Sequence, residues 1–328
     1  MFEPVCPGPL RPLSPGRNSR VVVGVPVRNG GALLELALRT LTSQTHSNLE
    51  IIISDNASTD RTPEICERLA RQDSRIRYFH QPAPVSADKN FRFVFEQSES
   101  DWFLWASHDD LREENYVDVL LSGFTAHPCA ALVFTDTETF SDHVRRTPQG
   151  PPRFPPASTG PSAADRHRRV VQNGATQIYG LFRSDVVRTY RWPKLPVGHD
   201  WMMLHWAVTL GEIVYQPGST FWYFVPSVAK TTAAEQRALR AYHWLDEGLK
   251  ASDIVRLPPD VAWAFGASRE LAHARRAQGM DDHRWWTFLE FCFLQHGGAR
   301  AWAKQFAYLN APAPVRSAWT ALKHGRGG

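Results

Sequence analysis

Residues 21–106 alternate between short apolar runs and segments whose apolar residues recur at helical spacing, and few folds accommodate that alternation. Val21-Val22-Val23-Gly24-Val25-Pro26-Val27 and Leu49-Glu50-Ile51-Ile52-Ile53-Ser54 are dense in β-branched residues. Near-continuous apolar runs of this length form strands buried on both faces. Ile76-Arg77-Tyr78-Phe79 gives a short third strand, and residues 102–106 a fourth. Between them, Leu33, Leu34, Leu38 and Leu41 share a helical stripe, as do Ile65, Leu69 and Ala70, and then Phe91, Val94 and Phe95. Strands alternating with helices imply an α/β fold with a doubly wound parallel sheet, whose ligands lie outside the carboxyl ends of the strands.

The strand ends carry the chemistry. Asn29-Gly30-Gly31 turns the chain after the first strand, and Asp55-Asn56-Ala57-Ser58-Thr59-Asp60 follows the second. The fourth ends in Ser107-His108-Asp109-Asp110. An apolar run that stops at two adjacent acids loses solvation energy unless something offsets the charge. A divalent cation is the usual reason for hard oxygen ligands at a strand end. The structural alternative is a helix N-cap, which also favours acids. The same capping logic applies to Asp60, before the helix that starts at Thr62.

Further along, 115–124 reads as a helix and 131–135 as a strand, and 145–168 is a Pro-rich loop. Order returns near Val170; 201–210 is helical, and 213–215 and 221–225 are strands. Residues 1–19, rich in Pro, Gly, Ser and Arg, read as a disordered lead-in, and 233–328 as a helical C-terminal extension. Apolar residues at 43% and charged residues at 21% exclude wholesale disorder, and a net charge of +4 argues against a nucleic-acid partner. No secretory signal and no window of membrane-spanning length is expected, so the protein reads as cytoplasmic, with a peripheral location at the inner membrane face as the variant. Four cysteines lie far apart with no CxxC pair, so neither a zinc site nor a disulfide is expected, and reduced thiols are the simplest reading.

Val25-Pro26-Val27-Arg28-Asn29, Asp55 to Asp60, Asp88-Lys89-Asn90 and His108-Asp109-Asp110 together resemble the successive motifs of glycosyltransferase family 2. The resemblance covers residues 20–140 well and 170–232 less closely. It implies a GT-A fold: a Rossmann-like, mostly parallel central sheet flanked by helices. The domain would run over 20–232, with a nucleotide-binding half at 20–140 and an acceptor-side half at 141–232. It also implies an inverting transfer from a nucleotide-sugar donor to a sugar, lipid-linked or small-molecule acceptor. On that resemblance Asp55 hydrogen-bonds the base, Pro26 and Asn29 shape the nucleotide loop, and Lys89 lies near the diphosphate. Asp109 is then the metal ligand for Mg²⁺ or Mn²⁺, with Asp110 beside it and His108 lining the site. The family's metal motif is Asp-x-Asp, and Ser107 occupies its first position here. Mg²⁺ takes only one or two protein carboxylates besides phosphate and water, so one missing acid is tolerable.

Asp200, in Gly198-His199-Asp200-Trp201, matches the acid that deprotonates the acceptor, with Trp201 and Trp206 available to desolvate it. Its bland reading is the N-cap of helix 201–210. Gly180 falls in a segment that resembles the support of the donor sugar. The Arg and His usual after the last strand are absent, and Lys230 is the substitute. Arg166-His167-Arg168-Arg169 reads as a solvated basic patch, with an anionic acceptor as the alternative. Residues 285–294, rich in Trp and Phe, read as core packing, with a membrane face or homodimer contact as alternatives. Two rival functions remain. A nucleotidyltransferase needs a Gly-rich loop followed by Arg and Lys, which Arg28-Asn29-Gly30-Gly31-Ala32-Leu33 matches poorly. An inactive sugar-nucleotide-binding protein is compatible with Ser107 in the metal motif.

Overall fold

Strands β1 (Val21–Val27) and β2 (Leu49–Asp55) are buried along their whole length and pair in parallel, from Val21 opposite Leu49 to Val27 opposite Asp55. In-register pairing brings the polar ends of both strands to one edge of the sheet. β3 (Ile76–His80) adds in parallel outside β2, and β4 (Trp102–Trp105) on the other side of β1. The crossovers are α1 (Gly31–Thr42), α2 (Thr62–Gln72) and α3 (Ala87–Glu96). The computed structural model describes residues 6, 9–141, 166, 175–190, 192 and 199–225, all in the first of two units into which the chain divides. The proposed C-terminal extension, Lys230 and the aromatic segment 285–294 lie outside the described residues, as does most of the Pro-rich loop.

The chain continues through β5 (Leu111–Arg112), α4 (Tyr116–Ala126), β6 (Ala130–Phe140), a 3-10 turn at Ala175–Tyr179, β7 (Leu181–Arg183), α5 (Ser184–Arg188), α6 (His199–Leu210) and β8 (Glu212–Phe224). All strands join one eight-stranded sheet in the order β3-β2-β1-β4-β7-β6-β8-β5. The sheet is parallel over β1 to β4 and mixed beyond, because β7 runs antiparallel to both β4 and β6. The expected strands at 213–215 and 221–225 are one 13-residue strand. Its partner β6 advances from Phe134 to Asp136 while β8 passes from Tyr215 to Thr220. Pro217, which has no N–H to donate, and Gly218, at φ 116°, fall in that bulge and disguise the continuity in the sequence. The core is formed by the inward residues of β1, β2 and β4 with α1, α4 and the start of β6. Each buried Val, Leu or Ile there contributes about 1.5–3 kcal/mol relative to exposure.

Two expectations are corrected. The segment before β1 is held in place: Leu13 N–H donates to the Pro128 carbonyl at 2.8 Å, and the Arg183 guanidinium to the Arg11 carbonyl at 2.6 Å. Cys6 and Cys129 are disulfide-bonded, against the reduced-thiol reading. The two cysteines are 123 residues apart, so only the docking of the lead-in beside the start of β6 brings them together. Cys66 is a free, buried thiol. Among the described residues no helix is long and apolar enough to cross a membrane.

Reduction of Cys6–Cys129 is expected to destabilise the fold by about 2–4 kcal/mol, the typical worth of a disulfide. A thermal melt with and without reductant measures it, and Cys6→Ser should reproduce the loss while abolishing the response to reductant. An intact mass showing two free thiols at these positions in oxidised protein would refute the staple.

Candidate active site at the strand ends

The loops after β1 and β2 are stitched together. Asn29 takes a left-handed conformation (φ 52°), and its N–H donates to Ser58 Oγ at 2.8 Å. Its side-chain oxygen accepts from Thr59 N–H at 3.0 Å. Gly30 and Gly31 N–H groups both converge on Thr62 Oγ1, at 2.9 and 3.4 Å. Asp60 accepts from Thr62 N–H at 3.0 Å. Burial pushes the Asp60 carboxyl up, but hydrogen bonds from Thr62 and Gly31 outweigh it and hold it low. Asp60 thus ties the loop to the start of α2 from one residue before the helix's N-cap, which is Arg61. Pro26, opposite Ser54, leads from the buried strand into this loop. Gly30 also brings the first loop under the fourth strand's end, because a Cβ there would lie 3.2 Å from His108 Cδ2.

The second loop is anchored to α3. Asn56 pairs twice with Val85, donating to its carbonyl at 2.8 Å and accepting its N–H at 2.7 Å. Buried Asn90 accepts from Ser54 Oγ at 2.6 Å and donates to the Ser54 carbonyl at 3.1 Å. These contacts fix the first turn of α3, where Lys89 stands exposed at the strand-end edge. Asp55 is buried completely: Oδ1 accepts from Ser58 N–H at 2.9 Å, and Oδ2 from Tyr78 OH at 2.9 Å, with His80 Nδ1 at 3.1 Å. The contribution of Tyr78, His80 and Asn90 was not legible beforehand, since each depends on β3 or α3 lying against β2.

The acid pair divides. Asp109 is half-buried, and the Ser107 hydroxyl donates to its Oδ1. Asp110 is 1% exposed, and its Oδ1 accepts from Phe224 N–H at 2.8 Å. Its Oδ2 has no hydrogen-bond partner among the described residues. Burial first, then the charge of Asp109, pushes the Asp110 carboxyl up to about 7, against the pull of Phe224 N–H and of Arg112. Arg112 is itself buried, with its guanidinium 5.0 Å from the Phe221 ring and 5.6 Å from Tyr116. Among the described residues no group of three His, Cys, Asp or Glu side chains could hold a metal ion unaided. The donor set suits a cation that takes one or two carboxylates and completes its shell from a ligand. The orphaned Asp110 oxygen fits a positive charge at this point.

Asp200 lies in the first turn of α6. The Tyr223 phenol is pushed up by burial first and then by the charges of Asp110, Asp109 and Asp200. Tyr179 is raised by burial first and then by Tyr223 and the same three acids. Both phenols thus feel the charges of the fourth strand's end and of the start of α6. Trp206 donates to the Val186 carbonyl of α5 at 3.0 Å. Gly180 meets β6: a Cβ there would sit 2.5 Å from the Val133 carbonyl. Arg166, read as part of a solvated patch, is 3% exposed and donates to the Val208 carbonyl at 3.0 Å. The rest of that basic patch lies outside the described residues.

A mixed α/β sheet, parallel in its first half and with acids at its strand ends, is the architecture of a GT-A fold. Staphylococcus aureus TarS 1–349, solved in complex with UDP-GlcNAc, superposes over 78% of this chain and 74% of its own, with a TM-score of 0.52 at 16% identity. The chain belongs to glycosyl transferase family 2, whose model matches residues 22–191. Glycosyltransferase GlyG of Streptococcus pneumoniae is 31% identical over 100 residues, covering 30% of this chain and 33% of that protein. The GalNAc(5)-diNAcBac-PP-undecaprenol beta-1,3-glucosyltransferase of Campylobacter jejuni is 32% identical over 92 residues, 28% of this chain and 30% of its own. The chain thus spans about a third of the length of these curated relatives.

The Asp110 carboxyl is raised above its unfolded value of 3.8, so its contribution to stability is fully present below about pH 4 and lost as pH rises through about 7. Asp110→Asn keeps an acceptor for Phe224 N–H and removes that loss. In metal-free buffer its melting temperature should exceed the parent's by more at pH 8 than at pH 5. A difference that does not change with pH would refute the buried-acid assignment.

Proposed function

We propose that this protein is an inverting glycosyltransferase that moves a sugar from a nucleotide-diphospho-sugar to an acceptor hydroxyl, in glycan, polysaccharide or glycoconjugate synthesis. The observation that supports it most is the acid pair at the end of the fourth strand, where Asp109 is half-buried and Asp110 keeps one oxygen without a hydrogen-bond partner among the described residues, on the same sheet edge as Asn29 and Asp55. The donor would lie across the strand ends, its base at Asp55, its diphosphate near Lys89, and His108 over the loop of Pro26 and Asn29. Asp109, with Asp110 behind it, would hold Mg²⁺ or Mn²⁺, which supplies charge neutralisation for the departing nucleoside diphosphate. Asp200 takes the proton from the acceptor hydroxyl as its oxygen attacks the anomeric carbon opposite the leaving group. The half-exposed Tyr223 phenol stays protonated under the nearby acids and can donate to an acceptor or donor oxygen.

The TarS complex with UDP-GlcNAc supports a nucleotide-sugar donor, and the name of the Campylobacter relative supports a glycan acceptor carried on a lipid. Gly180 serves this site through packing, by letting the turn before β7 close on β6. A nucleotidyltransferase is not favoured, because the first loop is closed by Asn29, Ser58 and Thr62 rather than by a Gly-rich phosphate cradle.

A thermal-shift panel of UDP-, GDP-, dTDP- and CDP-sugars with and without Mn²⁺ tests the donor class. One nucleotide class should stabilise the protein, and more strongly with Mn²⁺; Asp109→Ala should lose the metal-dependent part. Asp200→Asn should keep donor binding and lower turnover roughly 10²–10⁴-fold, the usual worth of a general base. Full activity in Asp200→Asn would overturn the base assignment.

A further inference from the structure

Arg112 is buried in β5, two residues after Asp110, yet among the described residues no carboxylate bonds to its guanidinium. Nη2 donates to the Trp105 carbonyl at 3.4 Å, and Nε and Nη1 have no hydrogen-bond partner among those residues. Trp105 is the last residue of β4, so this bond spans the turn that carries Ser107, His108, Asp109 and Asp110. The same strand, β8, fixes Arg112 and Asp110 together. Phe221 lies opposite Arg112 in the sheet register, and Phe224 N–H holds Asp110. A guanidinium stays charged wherever it is placed. Burying it without a bonded anion is costly unless opposite charge lies near. Burial and then Asp109 push the Asp110 carboxyl up, while Phe224 N–H and then Arg112 pull it down. With both acids ionised, two carboxylates and one guanidinium leave a single net negative charge at the turn. A divalent cation arriving alone is opposed by Arg112, and an arriving diphosphate is attracted.

We propose that Arg112 is a positioning residue whose buried charge makes metal and diphosphate bind together: it opposes a divalent cation alone at the acid pair and attracts the diphosphate that completes that cation's shell. This inference rests on the metal and nucleotide-sugar reading above. It acts through space, so the guanidinium needs no opening to the ligand. By linkage the coupling is reciprocal: the nucleotide strengthens metal binding by the factor with which the metal strengthens nucleotide binding.

The test is calorimetry on the full chain with three titrations: Mn²⁺ alone, the best-binding of UDP, GDP, dTDP and CDP alone, and Mn²⁺ with that nucleotide present. The last is corrected for the Mn²⁺ that the nucleotide holds in solution. The parent should bind Mn²⁺ about tenfold more tightly with the nucleotide than without it. Arg112→Gln, which keeps a donor toward the Trp105 carbonyl, and Arg112→Met both remove the charge. Each should bind Mn²⁺ alone about tenfold more tightly than the parent, and metal-free nucleotide about tenfold more weakly. Arg112→Lys keeps the charge and should follow the parent in both. A packing defect weakens both ligands together, so the opposite signs separate a charge effect from a structural one. Neutral variants that weaken both ligands, change neither, or are matched by Arg112→Lys would overturn this inference alone. So would a parent that holds Mn²⁺ equally well with and without nucleotide, and that measurement decides the matter where both neutral variants fail to fold. Nucleotide binding with no Mn²⁺ uptake under either condition would overturn the metal assignment as well. A parent that binds no nucleotide would sink the nucleotide-sugar reading together with it.

Discussion

The hydrogen bond from Phe224 N–H to Asp110 Oδ1 governs how the two sides of the sheet meet. It fastens the end of β8 to the turn that follows β4, although these strands are separated in the sheet by β7 and β6. Asp110 is drawn inward, while its neighbour Asp109, in the bend between β4 and β5, stays half-buried. The arrangement places a carboxylate where water does not reach one of its oxygens. Arg112, with its guanidinium over the Phe221 and Tyr116 rings, supplies the nearby positive charge. Burial still prevails over that charge, so the acid sits high and is receptive to a cation or a proton. The doublet of acids is thus two different groups, one buried and bonded to Phe224 N–H, the other half-buried and bonded to the Ser107 hydroxyl.

The first half of the fold was readable because its signals are local. Runs such as Val21–Val27 and Leu49–Asp55 are long, β-branched and bounded by turns, and the intervening stripes repeat at helical spacing. The second half follows from longer-range pairing. β5 is two residues long and exists only because β8 lies against it. β8 itself looked like two strands because a bulge interrupts its pattern at Pro217 and Gly218. The lead-in looked loose because its composition is that of a linker, and its fixed position comes from Pro128, Arg183 and Cys129, all far along the chain.

The candidate site shows the same division. The positions of Asn29, Asp55, Asp109 and Asp200 followed from strand ends and family resemblance, and the fold brings the first three to one edge of the sheet. What each side chain does there was not legible. Nothing in the local sequence distinguishes Asp109 from Asp110; only the approach of Phe224 does. Nothing near Asp55 announces that Tyr78 and His80 close over it, since those contacts cross from one strand to the next. Asn90, next to a lysine that drew attention for its charge, turns out to lock the helix to the strand.

The Cys6–Cys129 bond has a topological result. It closes a covalent ring that contains Asn29, Asp55, His80, Lys89, Asp109 and Asp110, and leaves Asp200 outside. A peptide bond severed anywhere within that ring produces no separate fragment until the sulfurs are parted, so a nicked molecule would migrate as an intact one on a non-reducing gel. A cut between Cys129 and Asp200 has no such tether. The strand-end loops are enclosed by that covalent ring, whereas Asp200 is joined to them by the backbone alone.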